Sequence, residues 1–210
     1  MKKIKKNDII AIVLCLCSAI PGAAVFGRLP DRIVTNWDIN GKPGSTMPKA
    51  AAVFALPLMG AVIMFLLCLY LRSLEAKKQV GKLETVLLVF FPATFFLTQL
   101  MIILSAMGKL TDVPTAACLV VSVSMIVLGN YMPKVRKNWV VGIRTPHIVS
   151  DDEIWYRTHR FAGVIITLSG VAGAVISLLG HPVAVFVVIM VSVVLPVIYG
   201  EALYYRGRKG

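Results

Sequence analysis

Six apolar stretches, separated by polar segments, dominate the pattern of this chain. Each is about 20 residues long, which is the length that a helix needs to cross the hydrocarbon core of a bilayer. The sequence therefore predicts an all-α, polytopic integral membrane protein with six transmembrane helices. The predicted spans are 9–26, 50–71, 86–107, 113–131, 161–179 and 183–204.

The first apolar stretch follows a cationic start, K-K-I-K-K, and so shares features with a secretory signal peptide. It is longer than the usual core of a signal peptide, and no clean A-x-A cleavage site precedes a soluble domain. We therefore expect a retained helix.

Charge is scarce and unevenly placed. Charged residues make up 15% of the chain, against about 25% in a typical soluble domain. Of the 22 Lys and Arg residues, 17 lie in the two termini and in segments 72–82 and 134–160. Because such residues favour the cytoplasmic side, both termini are predicted to be cytoplasmic. Topology and attraction to anionic membrane lipid explain the net charge of +12. We expect no direct nucleic-acid partner.

The loops divide the chain into two predicted parts. Residues 1–72 form a helical hairpin around a long extracytoplasmic loop, 28–49. Residues 82–210 form a four-helix core around a long cytoplasmic loop, 132–160, which we call the central segment.

Polar groups inside the predicted spans are few. Gln99 is the one strongly polar side chain deep in a span, and we place no carboxylate at mid-membrane, where ion-coupled transporters need ionisable groups. The four cysteines lie in apolar stretches, so no disulfide, metal or cofactor is expected. Small residues in the fifth span predict close helix packing, either within the molecule or in a homo-oligomer. They are Ser169, Gly173 and Ser177.

The 28–49 loop has the pattern of a structured element. L-P-D at 29–31 predicts a turn, Ile33 and Val34 with Trp37 an extended piece, and Asn40-Gly41 a tight turn. One interpretation is a binding surface with Trp37 and Asp38 exposed beside a basic rim. The other is a compact cap packed on the helix ends, with Trp37 as an interfacial anchor.

The central segment concentrates polar and aromatic residues. G-I-R-T-P at 142–146 predicts a turn, since a helix does not continue through Pro146. Ser150 and Glu153 have the spacing of a capping box, which predicts a helix from Asp151 into the fifth span. On that helix Glu153 and Arg157 are expected to pair, and Trp155 and His159 to share a face. Arg144, Arg157 and Arg160 would form a cationic platform near the inner lipid surface.

Histidines and acids of this segment also have the chemistry of a metal site or a general base. Their spacing matches no metal signature, and acids at a helix start are explained by the helix dipole. The residues in question are His147, Asp151, Asp152 and His159. We expect no enzyme here. A surface that docks a partner or lipid is the preferred interpretation, and a structural collar is the alternative.

Two patches carry a family resemblance. The first is G-N-Y-M-P-K-V-R-K-N-W-V-V-G-I-R-T-P, 129–146, followed by D-E-I-W-Y-R-T-H-R, 152–160. The second is L-P-D-R-I-V-T-N-W-D-I-N-G-K-P-G-S-T-M-P-K, 29–49. The first resembles the SdpI family of bacterial membrane proteins, and the second the domain of unknown function that often precedes it. The chain departs from the family pattern at His147, where a Trp is usual, and at Asn36-Trp37, where relatives often have a His.

The resemblance implies immunity to an extracellular peptide toxin and retention of a cytoplasmic transcriptional repressor at the membrane. The cytoplasmic candidates that it implies are Asn138, Gly142, Arg144, Thr145, Pro146, Trp155 and Arg160. The extracytoplasmic candidates are Pro30, Trp37, Gly41 and Lys49. From the loop patterns above we add His159 inside and Asp38 outside.

We therefore predict a membrane immunity and signalling protein whose partners are membrane lipid, a peptide toxin and a repressor. One alternative is a small transporter or exporter of hydrophobic peptides, which helix prolines at 57, 92 and 196 suggest. Another is a membrane-surface metalloenzyme that uses His147 and His159.

Overall fold

The apolar stretches form helices in the computed structural model, which describes residues 4–72, 81–137 and 142–207. Eight α-helices and a two-stranded antiparallel sheet occur in these ranges. The helices are α1 (Lys6–Cys17), α2 (Ile20–Ala24), α3 (Lys49–Leu71), α4 (Gly81–Ala106), α5 (Val113–Tyr131), α6 (Pro146–Ser150), α7 (Asp152–Leu178) and α8 (Pro182–Gly207). The strands are β1 (Arg32–Val34) and β2 (Thr46–Pro48).

Six helical segments of the described chain are long and apolar enough to cross a membrane. They lie close to the predicted spans, so the prediction of an all-α, polytopic membrane fold is confirmed. The first is Lys6–Ala24, which contains both α1 and α2. Pro21 lies in the first turn of α2, where proline favours a helix start because no intrahelical donor is needed there.

The fold comprises two compact units, Met1–Ser73 with Glu84–Val120 and Leu74–Leu83 with Val121–Gly210. In the first unit, small residues let helices approach closely. A Cβ atom at Gly60 would lie 2.5 Å from Cδ1 of Phe95. Gln99 is buried, and its Nε2 donates to the carbonyl oxygen of Ala52 at 2.9 Å. The polar side chain predicted deep in a span thus satisfies a backbone acceptor.

Small residues also set the packing of the second unit. A Cβ atom at Gly129 would lie 2.6 Å from the backbone nitrogen of Thr167, and one at Gly173 would lie 2.7 Å from Oγ of Ser122. Ser177 donates its hydroxyl to the carbonyl oxygen of Gly173 at 2.7 Å. These contacts favour the intramolecular alternative for the small-residue ridge of the fifth span. A homo-oligomer stays a prediction, as does the division into parts 1–72 and 82–210.

Candidate functional site

The 28–49 loop is a β-hairpin. Strand β1 pairs with β2 in the register Arg32↔Pro48, Ile33↔Met47 and Val34↔Thr46. An isolated bridge between Trp37 and Pro43 extends the pairing towards the tip. The predicted extended piece at 33–37 is therefore confirmed.

A tight turn around Asp38 closes the hairpin. Oδ1 of this exposed side chain accepts from the backbone nitrogens of Asn40 at 2.9 Å and Lys42 at 2.8 Å. Gly41 donates to the carbonyl oxygen of Asp38 at 3.0 Å and has φ +80°, a conformation that glycine adopts without strain. The turn predicted from Asn40-Gly41 is confirmed, and Asp38 shapes it as an Asx turn.

The base of the hairpin packs on helix ends. Trp37 is half-buried against an apolar cluster that includes Ile33 of the hairpin and Val53 of α3. Nζ of Lys49 lies 3.1 Å from Oδ1 of Asp31, while Pro30 is exposed. The packing fits the cap interpretation, and a binding role for the exposed tip stays a prediction.

In the central segment, Pro146 begins helix α6 and does not merely end a turn. Thr145 is its N-cap, and Oγ1 of Thr145 accepts from the backbone nitrogen of Ile148 at 3.2 Å. The sequence pattern did not predict this short helix, because Pro146 was interpreted only as a residue that a helix does not continue through. At the first helical position its missing N–H is harmless and its fixed φ is favourable.

The predicted cap of the next helix is corrected by one residue. Asp151, not Ser150, is the N-cap of α7, and its Oδ1 accepts from Glu153 at 2.8 Å and Ile154 at 2.9 Å. Ser150 instead donates its hydroxyl to the carbonyl oxygen of His147 at 2.7 Å. The helix therefore starts at 152 and, as predicted, continues into the fifth span. Nε of Arg157 lies 3.5 Å from Oε1 of Glu153, which confirms that pair.

Trp155 and His159 lie on one face of α7, as predicted, but both are buried. Their rings stack with centroids 3.9 Å apart. Nε1 of Trp155 donates to the carbonyl oxygen of Val135 at 3.0 Å. These two side chains therefore connect α7 to the chain that follows α5.

Both ring nitrogens of His159 contact backbone groups. Nε2 accepts from the backbone nitrogen of Ile143 at 3.1 Å, and Nδ1 lies 2.9 Å from the carbonyl oxygen of Trp155. Because Nε2 is an acceptor, the proton of the neutral ring is on Nδ1, where it meets the carbonyl. Neither nitrogen offers a lone pair to a metal, which argues against the metalloenzyme alternative.

Gly142 fits closely against this histidine. Its φ is +118°, and a Cβ atom there would lie 2.3 Å from Nε2 of His159. We call Gly142, Ile143, Trp155 and His159 the histidine lock, since together they fix the G-I-R-T-P motif to α7. Arg144, Pro146 and Arg160 are exposed around it. Asn138 lies outside the described residues.

His147 of α6 has its own set of contacts. Nδ1 of His147 lies 2.7 Å from Oε2 of Glu201 on α8. The imidazole also stacks on the ring of Tyr204, with centroids 4.1 Å apart. Sequence reasoning did not find Glu201 as a partner, because 54 residues separate the two side chains.

A buried ionic cluster in the first unit was also missed. Asp8 is fully buried and accepts two hydrogen bonds from Arg72, one of them from Nε at 2.8 Å. Nη1 of Arg72 lies 2.6 Å from Oε1 of Glu84. The hydrogen bond with Asp8 raises the pKa of Arg72 above its usual value, so the guanidinium stays charged. No local pattern connects residues 64 positions apart.

Comparison with known proteins adds family evidence. Residues 134–200 match the SdpI/YfhL protein family, and residues 13–61 match DUF1648, a domain of unknown function. The chain is also similar to the Immunity protein SdpI of Bacillus subtilis (strain 168). The two are 25% identical over 205 residues, which cover 98% of this chain and 97% of that protein. No solved structure matches the chain.

The two matches fall on the same parts of the chain as the two sequence patches. The DUF1648 match includes the β-hairpin, and the SdpI/YfhL match includes most of the central segment. With six helices able to span a bilayer, they identify a multi-pass protein of the bacterial cytoplasmic membrane. The chain therefore has a segment similar to DUF1648 followed by a segment similar to the SdpI/YfhL family, which confirms the predicted resemblance to the SdpI family.

Proposed function

We propose that this protein gives its cell immunity to an extracellular peptide toxin. The observation that carries the proposal is the match to an immunity protein along 98% of the chain. A match of that extent includes both the β-hairpin and the histidine lock, so the proposal concerns the whole protein and not one shared segment.

The β-hairpin is the element that we propose meets the toxin. Its base is fixed by packing against helix ends, whereas Asp38 and Lys42 are exposed at its tip. Hydrogen bonds within the turn hold the tip in one conformation, which lowers the entropy cost of binding. In the predicted orientation this tip is extracytoplasmic.

The test is protection of a sensitive strain. Cells that express this chain should survive a purified sporulation-delaying peptide toxin at concentrations that kill cells carrying an empty vector. Asp38→Asn should weaken protection, because it removes the charge but keeps the oxygen that shapes the turn. Asp112→Asn is the matched control, since the Asp112 carboxylate likewise accepts from a backbone nitrogen, that of Thr115 at 3.1 Å. Equal killing with and without the normally expressed chain would refute the proposal.

The central segment favours a second role, the retention of a cytoplasmic repressor. The histidine lock holds the G-I-R-T-P backbone against α7 while Arg144 and Pro146 stay exposed. Preorganised exposed groups of this kind suit a protein contact.

Membrane retention of the repressor would be measured by fractionation of toxin-treated cells. Arg144→Ala should move the repressor to the soluble fraction, and the nearby exposed Arg136→Ala should not. If both variants keep the repressor at the membrane, the proposed contact between the G-I-R-T-P motif and the repressor is refuted, whereas the proposed protection from the toxin is not affected.

A further inference from the structure

Two adjoining cavities lie along α7 and α8 in the second unit. The first has a volume of about 260 Å³ and apolar walls that include Leu195 and Ile198, with Arg206 at one end. The second has a volume of about 360 Å³ and is lined by Arg157 and Arg160. Phe161 and Tyr199 line both, and their rings stack with centroids 4.3 Å apart. The two cavities thus share a wall of aromatic rings.

Positive charge collects at one end of this groove. Arg157 and Arg160 are one helical turn apart, so they lie on the same side of α7. Glu153 is the carboxylate among the lining residues, and its exposed pairing with Arg157 at 3.5 Å is weak. Three guanidinium groups therefore line the groove against one carboxylate. Arginine binds phosphate oxygens through two parallel hydrogen bonds, so this end suits a phosphate group.

The other end of the groove continues into membrane-facing side chains. Val164 and Ile198 line the cavities and are 54% and 60% exposed. Both lie within helices that are able to span a bilayer, where acyl chains cover such surfaces. Tyr199 lies between the charged and apolar ends, as is usual for aromatic residues at a membrane interface.

We infer that the groove between α7 and α8 binds one anionic phospholipid. Its phosphate would lie on Arg157, Arg160 and Arg206, and one acyl chain would lie along Leu195 and Ile198. A soluble anion would contact only the charged end of the groove. A cytoplasmic protein would not reach the apolar wall of the groove, which lies within the membrane. The inference is independent of the proposed immunity function.

Native mass spectrometry of the full chain in detergent, titrated with phosphatidylglycerol, tests the site. We expect a one-to-one adduct at least about 10-fold tighter than that of phosphatidylcholine with the same acyl chains, because charge-assisted contacts are lost with a zwitterion. Glycerol phosphate and inorganic phosphate should not displace the adduct. Equal affinity for the two lipids, or displacement by either soluble phosphate, would overturn the inference.

Variants distinguish this groove from general attraction to the basic surface. Arg157→Gln/Arg160→Gln should weaken phosphatidylglycerol binding about 10-fold or more. Arg28→Gln/Lys42→Gln removes the same charge from the first unit and should leave binding unchanged. Ala202→Phe keeps every charge but fills the apolar cavity, and it too should lower the affinity. Circular dichroism and gel filtration would establish that each variant is folded. If the two double variants weaken binding equally, the site is wrong.

Discussion

Gly142→Ala offers a direct test of the histidine lock. The new methyl group would lie 2.3 Å from Nε2 of His159, about 1 Å closer than ordinary contact. It would also place a non-glycine residue at φ +118°. The histidine has little room to retreat, since it is buried and stacked on Trp155. The variant therefore combines backbone strain with the loss of side-chain contacts.

The costs of the backbone strain and of the lost side-chain contacts can be estimated separately. A non-glycine residue in such a backbone region costs about 1–3 kcal/mol. Displacing His159 breaks its hydrogen bond from Ile143, about 0.5–1.5 kcal/mol, and its stacking on Trp155, about 0.5–1.5 kcal/mol. We therefore expect Gly142→Ala to lower the free energy of unfolding by about 2–6 kcal/mol.

Gly180→Ala is the matched control. Gly180 also has a positive φ, +76°, but a Cβ atom there would meet nothing within 4 Å. Its cost should be the strain alone, about 1–3 kcal/mol. In a His159→Ala background, Gly142→Ala should likewise cost only about 1–3 kcal/mol, because the clash is gone.

Denaturant unfolding of purified protein in mixed micelles, followed by circular dichroism, would provide these free energies. The double-mutant cycle should give a coupling of about 1–3 kcal/mol between positions 142 and 159. Additive effects would refute the lock, and so would a Gly142→Ala variant no less stable than Gly180→Ala.

The same unfolding assay tests three further contacts. Arg72→Met should lower the free energy of unfolding by about 3–5 kcal/mol, because it leaves the buried Asp8 carboxylate unpaired. Adding Asp8→Asn to this variant should restore much of that loss. A double variant no more stable than Arg72→Met alone would contradict the pairing. Trp155→Phe should cost about 0.5–1.5 kcal/mol for the lost bond to Val135, whereas Trp155→Ala should cost about 3–5 kcal/mol; equal costs would mean that the indole N–H contributes nothing. Gln99→Leu should cost about 0.6–2 kcal/mol, and a more stable variant would show that the bond to Ala52 is not needed.

The membrane helices could be predicted because the bilayer fixes their length. A run such as 183–204 has to cross the bilayer as a helix, because a single segment in lipid satisfies its own backbone hydrogen bonds only in that conformation. The hairpin turn was equally predictable, because Gly41 supplies the positive φ that Asn-Gly turns require. In both cases the cause lies within a few neighbouring residues.

Long-range contacts could not be predicted in the same way. Asp8 appears from the sequence to be an ordinary first-turn acid, and its burial follows only from Arg72 at the far end of α3. Gly142 was recognised as a turn residue, but its fit against His159 depends on how α7 is placed. Even the local error at Ser150 has a physical reason, because Ser150 and Asp151 are both good N-caps and the structure uses the second.

The candidate residues of the central segment fall into two physical classes, and this division makes the functional proposal more specific. Gly142, Trp155 and His159 are internal parts of the lock, so their variants should lose stability and function together. Arg160 is exposed and lies outside the lock, and substitutions at such positions usually change stability by less than about 0.5 kcal/mol. Loss of activity at Arg160 with unchanged unfolding would therefore identify a contact surface. Loss of activity at the lock alone would mean that the segment's role is to position the helices and not to bind a partner.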